Sequence, residues 1–257
     1  DGKRELLTPE KSIEIQRKLD STITMVLDEC AAFPLSKTLT AKSMGLSMRW
    51  AARSKEAYLV RPGYGLFGIV QGGMYPELRA QSVASLVETN FDGYAIGGLA
   101  VGEDNELMHE IAAYTASRLP VDKPRYLMGI GRPSDLVNAV VSGCDMFDCV
   151  LPTRSGRTGQ AFTWSGVVNI RNSRHKDDPR PLDESCKCPT CLGYSRAYLY
   201  HLVQAKEILG AILMTWHNLY YYQALMAGMR VAIRSGELNR FCANFTNSQK
   251  QGDVEPL

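Results

Sequence analysis

Five short apolar runs, each closed by a polar or glycine position, constrain this chain more than any other feature of its sequence. They are Ile23-Thr24-Met25-Val26-Leu27, Leu66-Phe67-Gly68-Ile69-Val70, Gly93-Tyr94-Ala95-Ile96, Tyr126-Leu127-Met128 and Met146-Phe147-Asp148-Cys149-Val150. Amphipathic stretches lie between them, at 76–88, 105–119 and 133–141. Strands buried on both faces read as continuous apolar runs, and parallel strands need helical crossovers. The alternation therefore predicts a parallel α/β fold. No Gly-x-Gly-x-x-Gly opens a helix after the first run, which leaves a dinucleotide site unsupported. Asp28 follows the first run, Gln71-Gly72-Gly73 the second, Gly97-Gly98 the third and Gly129-Ile130-Gly131 the fourth, while Asp148 sits in the fifth. One glycine after a strand is simply a turn. Five such ends in succession, two carboxylates and an amide among them, match the rim where a (β/α)8 TIM barrel builds its active site. About five βα units are present, so a closed barrel needs about three more upstream.

Composition narrows the remaining classes. The 257 residues are 45% hydrophobic and 22% charged, enough apolar mass for a sizeable core. The longest apolar stretch, 208–216, is too short to span a bilayer, and no apolar segment follows the charged first residues as in a secretory signal. These features predict a cytoplasmic protein without a membrane partner. The chain does not open on Met, and together with the missing strands this reads as a start inside a longer protein. Seven cysteines are too few and too uneven for a disulfide scaffold. Between positions 153 and 206, nine Lys/Arg stand against four Asp/Glu, a local +5 in a chain of net +2. Such a segment suits an anionic partner, although a solvated face reads the same way on charge alone.

The remaining sequence divides into 1–152 with the barrel units, 153–235 with a basic loop, hairpin and cysteine cluster, and 236–257 with a C-terminal helix and a frayed tail from Asn247. Thr8-Pro9-Glu10 starts a helix with a hydroxyl cap, a proline and an acid in the first turn. Thr153 to Gln160 reads as a polar loop, Ser165-Gly166 as the turn of a hairpin, and the stretch from Arg196 to about Ser235 as helical.

Two constellations carry chemistry. Cys186-x-Cys188-x2-Cys191 supplies three thiolates for one ion, with His201 or His217 as the fourth ligand, a closed shell typical of structural zinc. Spacing does not choose between the histidines. Asp148 shares a strand face with Met146 and opposes Phe147 and Cys149. A carboxylate among apolar neighbours is costly unless paired or used. It is either a capping or salt-bridged aspartate or a nucleophile for glycosyl transfer. Asp28, followed by Glu29 and Cys30, suits the N–H edge of a guanine-like base.

Several blocks together resemble one family, tRNA-guanine transglycosylase of the bacterial type. They are Gly129-Ile130-Gly131-Arg132-Pro133-Ser134-Asp135-Leu136, Asp145 to Arg154, Gly159-Gln160-Ala161-Phe162 and the cysteine cluster. Asp28-Glu29-Cys30, Gly68-Ile69-Val70-Gln71-Gly72 and Gly97-Gly98-Leu99-Ala100-Val101-Gly102-Glu103 match in the same order. The resemblance implies a (β/α)8 barrel with an inserted zinc-binding subdomain, Zn2+ held by Cys186, Cys188, Cys191 and His217, and a homodimer binding one tRNA. It implies Asp148 as the nucleophile that attacks C1′ of the wobble guanosine, with a covalent aspartyl-tRNA intermediate and net retention. Asp28 then reads the base edge, Gln71 and the Gly98 N–H, beside Gly97, donate to its carbonyl, and the Leu99 carbonyl accepts from a 7-aminomethyl group. Met128 packs on the base, and Arg154 and Arg157 meet anticodon phosphates. Val101, with Cys30, implies 7-aminomethyl-7-deazaguanine as the incoming base, since the eukaryotic type has a glycine-like position there that makes room for queuine. The family's first strands, a second active-site aspartate and a stacking aromatic have no counterpart here. The rival readings are a non-catalytic tRNA-binding paralogue, against which the intact Asp148 motif argues, the archaeal relative, and an unrelated TIM-barrel hydrolase.

Overall fold

A computed structural model describes residues 2–255. The chain falls into two compact units, one running through Ile130 with Asn138–Asp148 added, the other formed by Gly131–Val137 and Cys149–Leu257.

In the first unit, Thr8 caps α1 (Pro9–Lys18) by accepting from the Lys11 N–H at 3.2 Å, as the Thr-Pro-Glu signal predicts. The strands follow in order: β1 (Ile23–Met25), β2 (Gly65–Val70), β3 (Gly93–Ile96), β4 (Arg125–Leu127) and β5 (Met146–Phe147). They pair in that order, every neighbour parallel, into one five-stranded sheet curled as a half-barrel. The regular strands end earlier than the apolar runs do. Val26 and Leu27 lie beyond β1, and Asp148, Cys149 and Val150 lie beyond β5.

Helices α2 (Lys37–Ala57), α3 (Pro76–Thr89) and α4 (Asn105–Ala116) provide crossovers, and α5 (Pro133–Val141) leads toward β5. Apolar periodicity does not reveal α2, because its buried stripe is small and largely polar: Thr40, Ser43, Met44, Ser47, Ala51 and Ser54. Inside β2 and β3, close packing requires glycine. A Cβ on Gly68 would lie 2.8 Å from the Phe91 ring, and one on Gly93 would lie 2.3 Å from the ring of Phe67, its cross-strand partner.

The second unit differs from the sequence reading in three places. Of the stretch read as a polar loop, Thr153 to Gln160, the part through Arg157 is helical, within α6 (Leu151–Arg157). Gly156 lies inside it because the helix passes so close to residue 215 that a Cβ would sit 2.7 Å from the Thr215 backbone. The hairpin is as expected, β6 (Gln160–Thr163) with β7 (Gly166–Asn169). After the short α7 (Pro189–Gly193), the expected single helical stretch is two helices, α8 (Arg196–Gln204) and α9 (Ile208–Arg234), parted where Lys206 takes a left-handed φ of 58°. The tail is not frayed through Glu255. Beyond α10 (Leu238–Gln249), the Gly252 N–H donates to Ser165 at 2.9 Å, and Asp253 takes Arg196 at 2.6 Å and His175 at 3.2 Å. Its last two positions, 256 and 257, lie outside the described residues. No helix among the described residues is long and apolar enough to cross a membrane.

Gly93→Ala should destabilise the protein by about 1–3 kcal/mol, because the added methyl overpacks Phe67. Urea unfolding of the single variant and of a Gly93→Ala, Phe67→Leu pair checks this; the cost should shrink in the pair.

Candidate active site and metal centre

The carboxyl ends of β1, β2 and β3 bring Asp28, Gln71, Gly97 and Gly98 into one group. Asp28 lies three residues past β1, on a segment that α2 holds through its serines. Ser54 Oγ accepts from the Leu27 N–H at 3.4 Å, and Ser47 Oγ accepts from the Glu29 N–H at 2.9 Å. The half-buried Asp28 carboxylate then accepts from Gln71 Nε2 at 2.6 Å. Burial raises the Asp28 pKa above the usual aspartate value, and the Gln71 N–H opposes that rise. Gln71 is itself 2% exposed, with its main-chain N–H donating to Ser82 Oγ at 3.0 Å. Gly98 has φ +64°, and a Cβ there would meet Gln71 Oε1 at 2.5 Å, so only glycine suits both the turn and its neighbour.

Behind these residues stands a group that the apolar pattern did not single out. Arg79 of α3 is fully buried, and its guanidinium donates to the carbonyls of Gly73, Val70, Gly97 and Gly98. The clue in the sequence is phase: Arg79 falls on the buried stripe of α3 with Leu78, Ser82, Val83 and Leu86.

The next loop carries Leu99, buried, then Ala100 at φ +57°. Glu103 accepts from the Ala100 N–H at 2.5 Å and the Val101 N–H at 2.9 Å. In a planar trans peptide the carbonyl points opposite to the N–H. Holding the Ala100 N–H therefore aims the Leu99 carbonyl away from Glu103. Val101 lines a recess with Gly98, Ala31, Phe33 and Tyr75. Cys30 is exposed at the surface, yet partial desolvation by the protein around its sulfur raises the thiol pKa, with Asp28 adding to the rise.

At the next two strand ends, β4 and β5 pair Tyr126 with Met146 and Leu127 with Phe147. Strand alternation puts Tyr126 and Met128 on one face, and Met146 and Asp148 on the matching face. Tyr126 thus reaches diagonally to the carboxylate. Its hydroxyl donates to Asp148 Oδ1 at 2.7 Å, and the Gly129 N–H donates to the same oxygen at 2.9 Å. Oδ2 takes no hydrogen bond among the described residues, and the side chain is exposed. Burial, with the Asp148 carboxylate, pushes the Tyr126 pKa far above the usual phenol range, so the hydroxyl remains a donor at any physiological pH. Met128 is half-buried, its N–H donating to Ile96 at 3.3 Å, which extends the β3–β4 ladder to the rim. Such an arrangement presents one unhindered carboxylate oxygen to an electrophile.

In the second unit, Arg154 and Arg157 are exposed and three residues apart, on one face of α6. The cysteines and His217 form a buried cluster whose ligand atoms all lie within 4.8 Å of one another. His217 Nδ1 is 3.7, 3.5 and 3.3 Å from the sulfurs of Cys186, Cys188 and Cys191. His217 Nε2 lies 2.9 Å from the Phe162 carbonyl, to which it donates, leaving Nδ1 with its lone pair toward the sulfurs. A tetrahedral zinc with its usual bond lengths has S···N edges of about 3.5 Å, so the donor set fits a metal of that size. His201 is exposed on α8 and takes no part in the cluster.

A family model described as Queuine tRNA-ribosyltransferase matches residues 1–251. A queuine tRNA-ribosyltransferase of Cereibacter sphaeroides is 58% identical over 257 residues, all of this chain and 68% of that protein. One of Dinoroseobacter shibae is also 58% identical, over the same shares. One of Rickettsia prowazekii is 57% identical over 237 residues, 92% of this chain and 66% of that protein. With its strand-end carboxylates, its Cys3His cluster and these matches, the chain belongs to the queuine tRNA-ribosyltransferase family.

Proposed function

We propose that this chain exchanges the guanine at the wobble position of a tRNA anticodon for 7-aminomethyl-7-deazaguanine, through a covalent aspartyl–ribose intermediate. One observation carries the reading: an exposed Asp148 whose Oδ1 is held by Tyr126 and Gly129 while Oδ2 is left open at the strand end. Oδ2 attacks C1′ of the ribose, the glycosidic C1′–N9 bond breaks, and guanine leaves with its electron pair. The departing guanine takes up a proton at N9; the incoming base gives up its own N9 proton as that nitrogen attacks the same carbon, the ester breaks, and the carboxylate is restored. Two inversions give net retention, and one difficult displacement becomes two easier ones.

Asp28 accepts from the N–H edge of the base, and Gln71 and the Gly98 N–H donate to its carbonyl, supported by their closeness around the 2.6 Å Asp28–Gln71 bond. The Leu99 carbonyl, aimed by Glu103, accepts from the 7-aminomethyl ammonium. Met128 packs on the base. Val101 narrows the recess beside Gly98, and with Cys30 this supports the smaller base over queuine, because a clash excludes a bulky ring more effectively than lost contact does. Arg154 and Arg157 take anticodon phosphates, in keeping with their exposure and the basic segment they open.

Zinc is the metal this reading assigns to Cys186, Cys188, Cys191 and His217. Four protein ligands leave no open position, so its contribution is to folding, on the order of 10 kcal/mol in small zinc peptides.

Asp148→Asn should abolish both labelled-guanine exchange into tRNA and the denaturation-resistant tRNA adduct, with circular dichroism unchanged. Tyr126→Phe should keep both but slow exchange about ten- to a hundredfold, the value of a hydrogen bond to a charged group. Exchange surviving in Asp148→Asn overturns the nucleophile.

Base recognition needs the Asp28 carboxylate ionised, so inhibition by free guanine should weaken as pH falls through a pKa above that of an ordinary aspartate. A guanine inhibition constant measured against pH should show this acid limb in wild type and lose it in Asp28→Asn.

His217→Ala should release zinc and lower the unfolding midpoint, whereas His201→Ala should keep one zinc per chain. Metal content by atomic absorption, beside thermal unfolding, distinguishes the two.

A further inference from the structure

We propose that Arg79 is a positioning residue that aims the Gly98 amide into the base site; the inference rests on the function proposed above. Arg79 Nε donates to the Gly73 carbonyl at 2.8 Å. Nη1 donates to Val70 at 3.2 Å and to Gly97 at 2.7 Å, and Nη2 donates to Gly98 at 3.3 Å. One buried guanidinium thus gathers the loop after β2, which carries Gln71, and the loop after β3, which carries Gly98.

The direction of each carbonyl fixes the direction of the amide that shares its peptide plane. Drawing the Gly97 carbonyl toward α3 turns the Gly98 N–H the opposite way, to the side where Cys30 and the Asp28–Gln71 pair stand. Cys30 stands there: desolvation and the Asp28 carboxylate raise its thiol pKa, and the Arg79 cation and the Gly98 N–H pull against that rise. Gly98 at φ +64° completes the turn, and Gln71 fills the volume a side chain would need.

Only a guanidinium can hold this arrangement. It presents five N–H donors in a planar fork, whereas a lysine ammonium is a single compact point of charge. Burial lowers the Arg79 pKa to about 10, which leaves it cationic at neutral pH. A cation on the carbonyl side polarises the peptide and strengthens the N–H donor on its far side. Arg79 therefore orients the Gly98 donor and sharpens it, without touching the base.

The test uses the full chain with Arg79→Lys and Arg79→Gln, and two probes, guanine and 2-aminopurine, which lacks the carbonyl that Gly98 addresses. Each is measured as a competitive inhibitor of base exchange. The ratio of the two inhibition constants does not depend on the fraction of active enzyme, so a partly misfolded variant still reports. Wild type should favour guanine, and in Arg79→Lys that preference should fall about tenfold, the value of one weakened hydrogen bond. Arg79→Gln, with two donors left, should lose it by a similar factor. If both variants bind both probes more weakly by one common factor, Arg79 is only a structural tie and the proposal is overturned. Absence of exchange in wild type instead overturns the function itself.

Discussion

Parallel strands end by leaving main-chain carbonyls and side-chain carboxylates at one rim, and each such group must find a donor if it is taken out of water. Much of the first unit is organised around meeting that demand. Ser47 and Ser54 of α2 accept from the segment around Asp28, Gln71 meets the Asp28 carboxylate, and Arg79 gathers four carbonyls. At the far strands the same need is met differently, with Tyr126 and the Gly129 N–H sharing Asp148 Oδ1. Asp148 Oδ2 is the oxygen this accounting leaves over, and it is the one proposed as nucleophile. On that proposal, chemistry and hydrogen-bond satisfaction rest on the same few residues.

The second unit solves a different problem, a small core with little sheet to pack on. Cys186, Cys188 and Cys191 sit among Ala161, Val168, Ile170, Leu182, Leu199 and Leu213 as members of one buried cluster. His217 and Asn218, adjacent on α9, link that cluster to the hairpin: His217 through the Phe162 carbonyl, Asn218 by accepting from the Phe162 N–H at 3.0 Å. Asn218 Nδ2 also donates to Pro152 and Gln160, each at 2.9 Å, which ties α6 to the same point. A metal bound here would therefore brace α6, the helix that bears Arg154 and Arg157.

What could be read from the residues, and what could not, follows from how each signal is encoded. Continuous apolar runs gave away the parallel strands, Thr8-Pro9-Glu10 gave away α1, and three cysteines within six positions gave away the metal cluster. Choosing His217 over His201 needed the fold or a family resemblance, because both lie on helices and only packing decides which one faces the sulfurs. Helix α2 escaped because Thr40, Ser43, Ser47 and Ser54 bury a stripe that hydrophobicity does not register. Helix α6 read as a loop because Gly156 looks like a breaker until Thr215 is seen against it. Arg79 and Tyr126 are ordinary residues in one dimension. Their partners are carbonyls and a carboxylate, and those are set by register rather than by spacing.

The docking of Asp253 carries a consequence for how the protein is made. Arg196 and His175 are almost wholly buried, and both wait for a carboxylate that lies beyond α9 and α10. During synthesis those two helices must leave the ribosome before the guanidinium finds its counter-ion, since domains are completed in the order the chain emerges. The five strands of the first unit all lie before Asp148. The ion pairs of Asp253 thus depend on residues near the end of the chain, whereas those five strands all lie upstream of them.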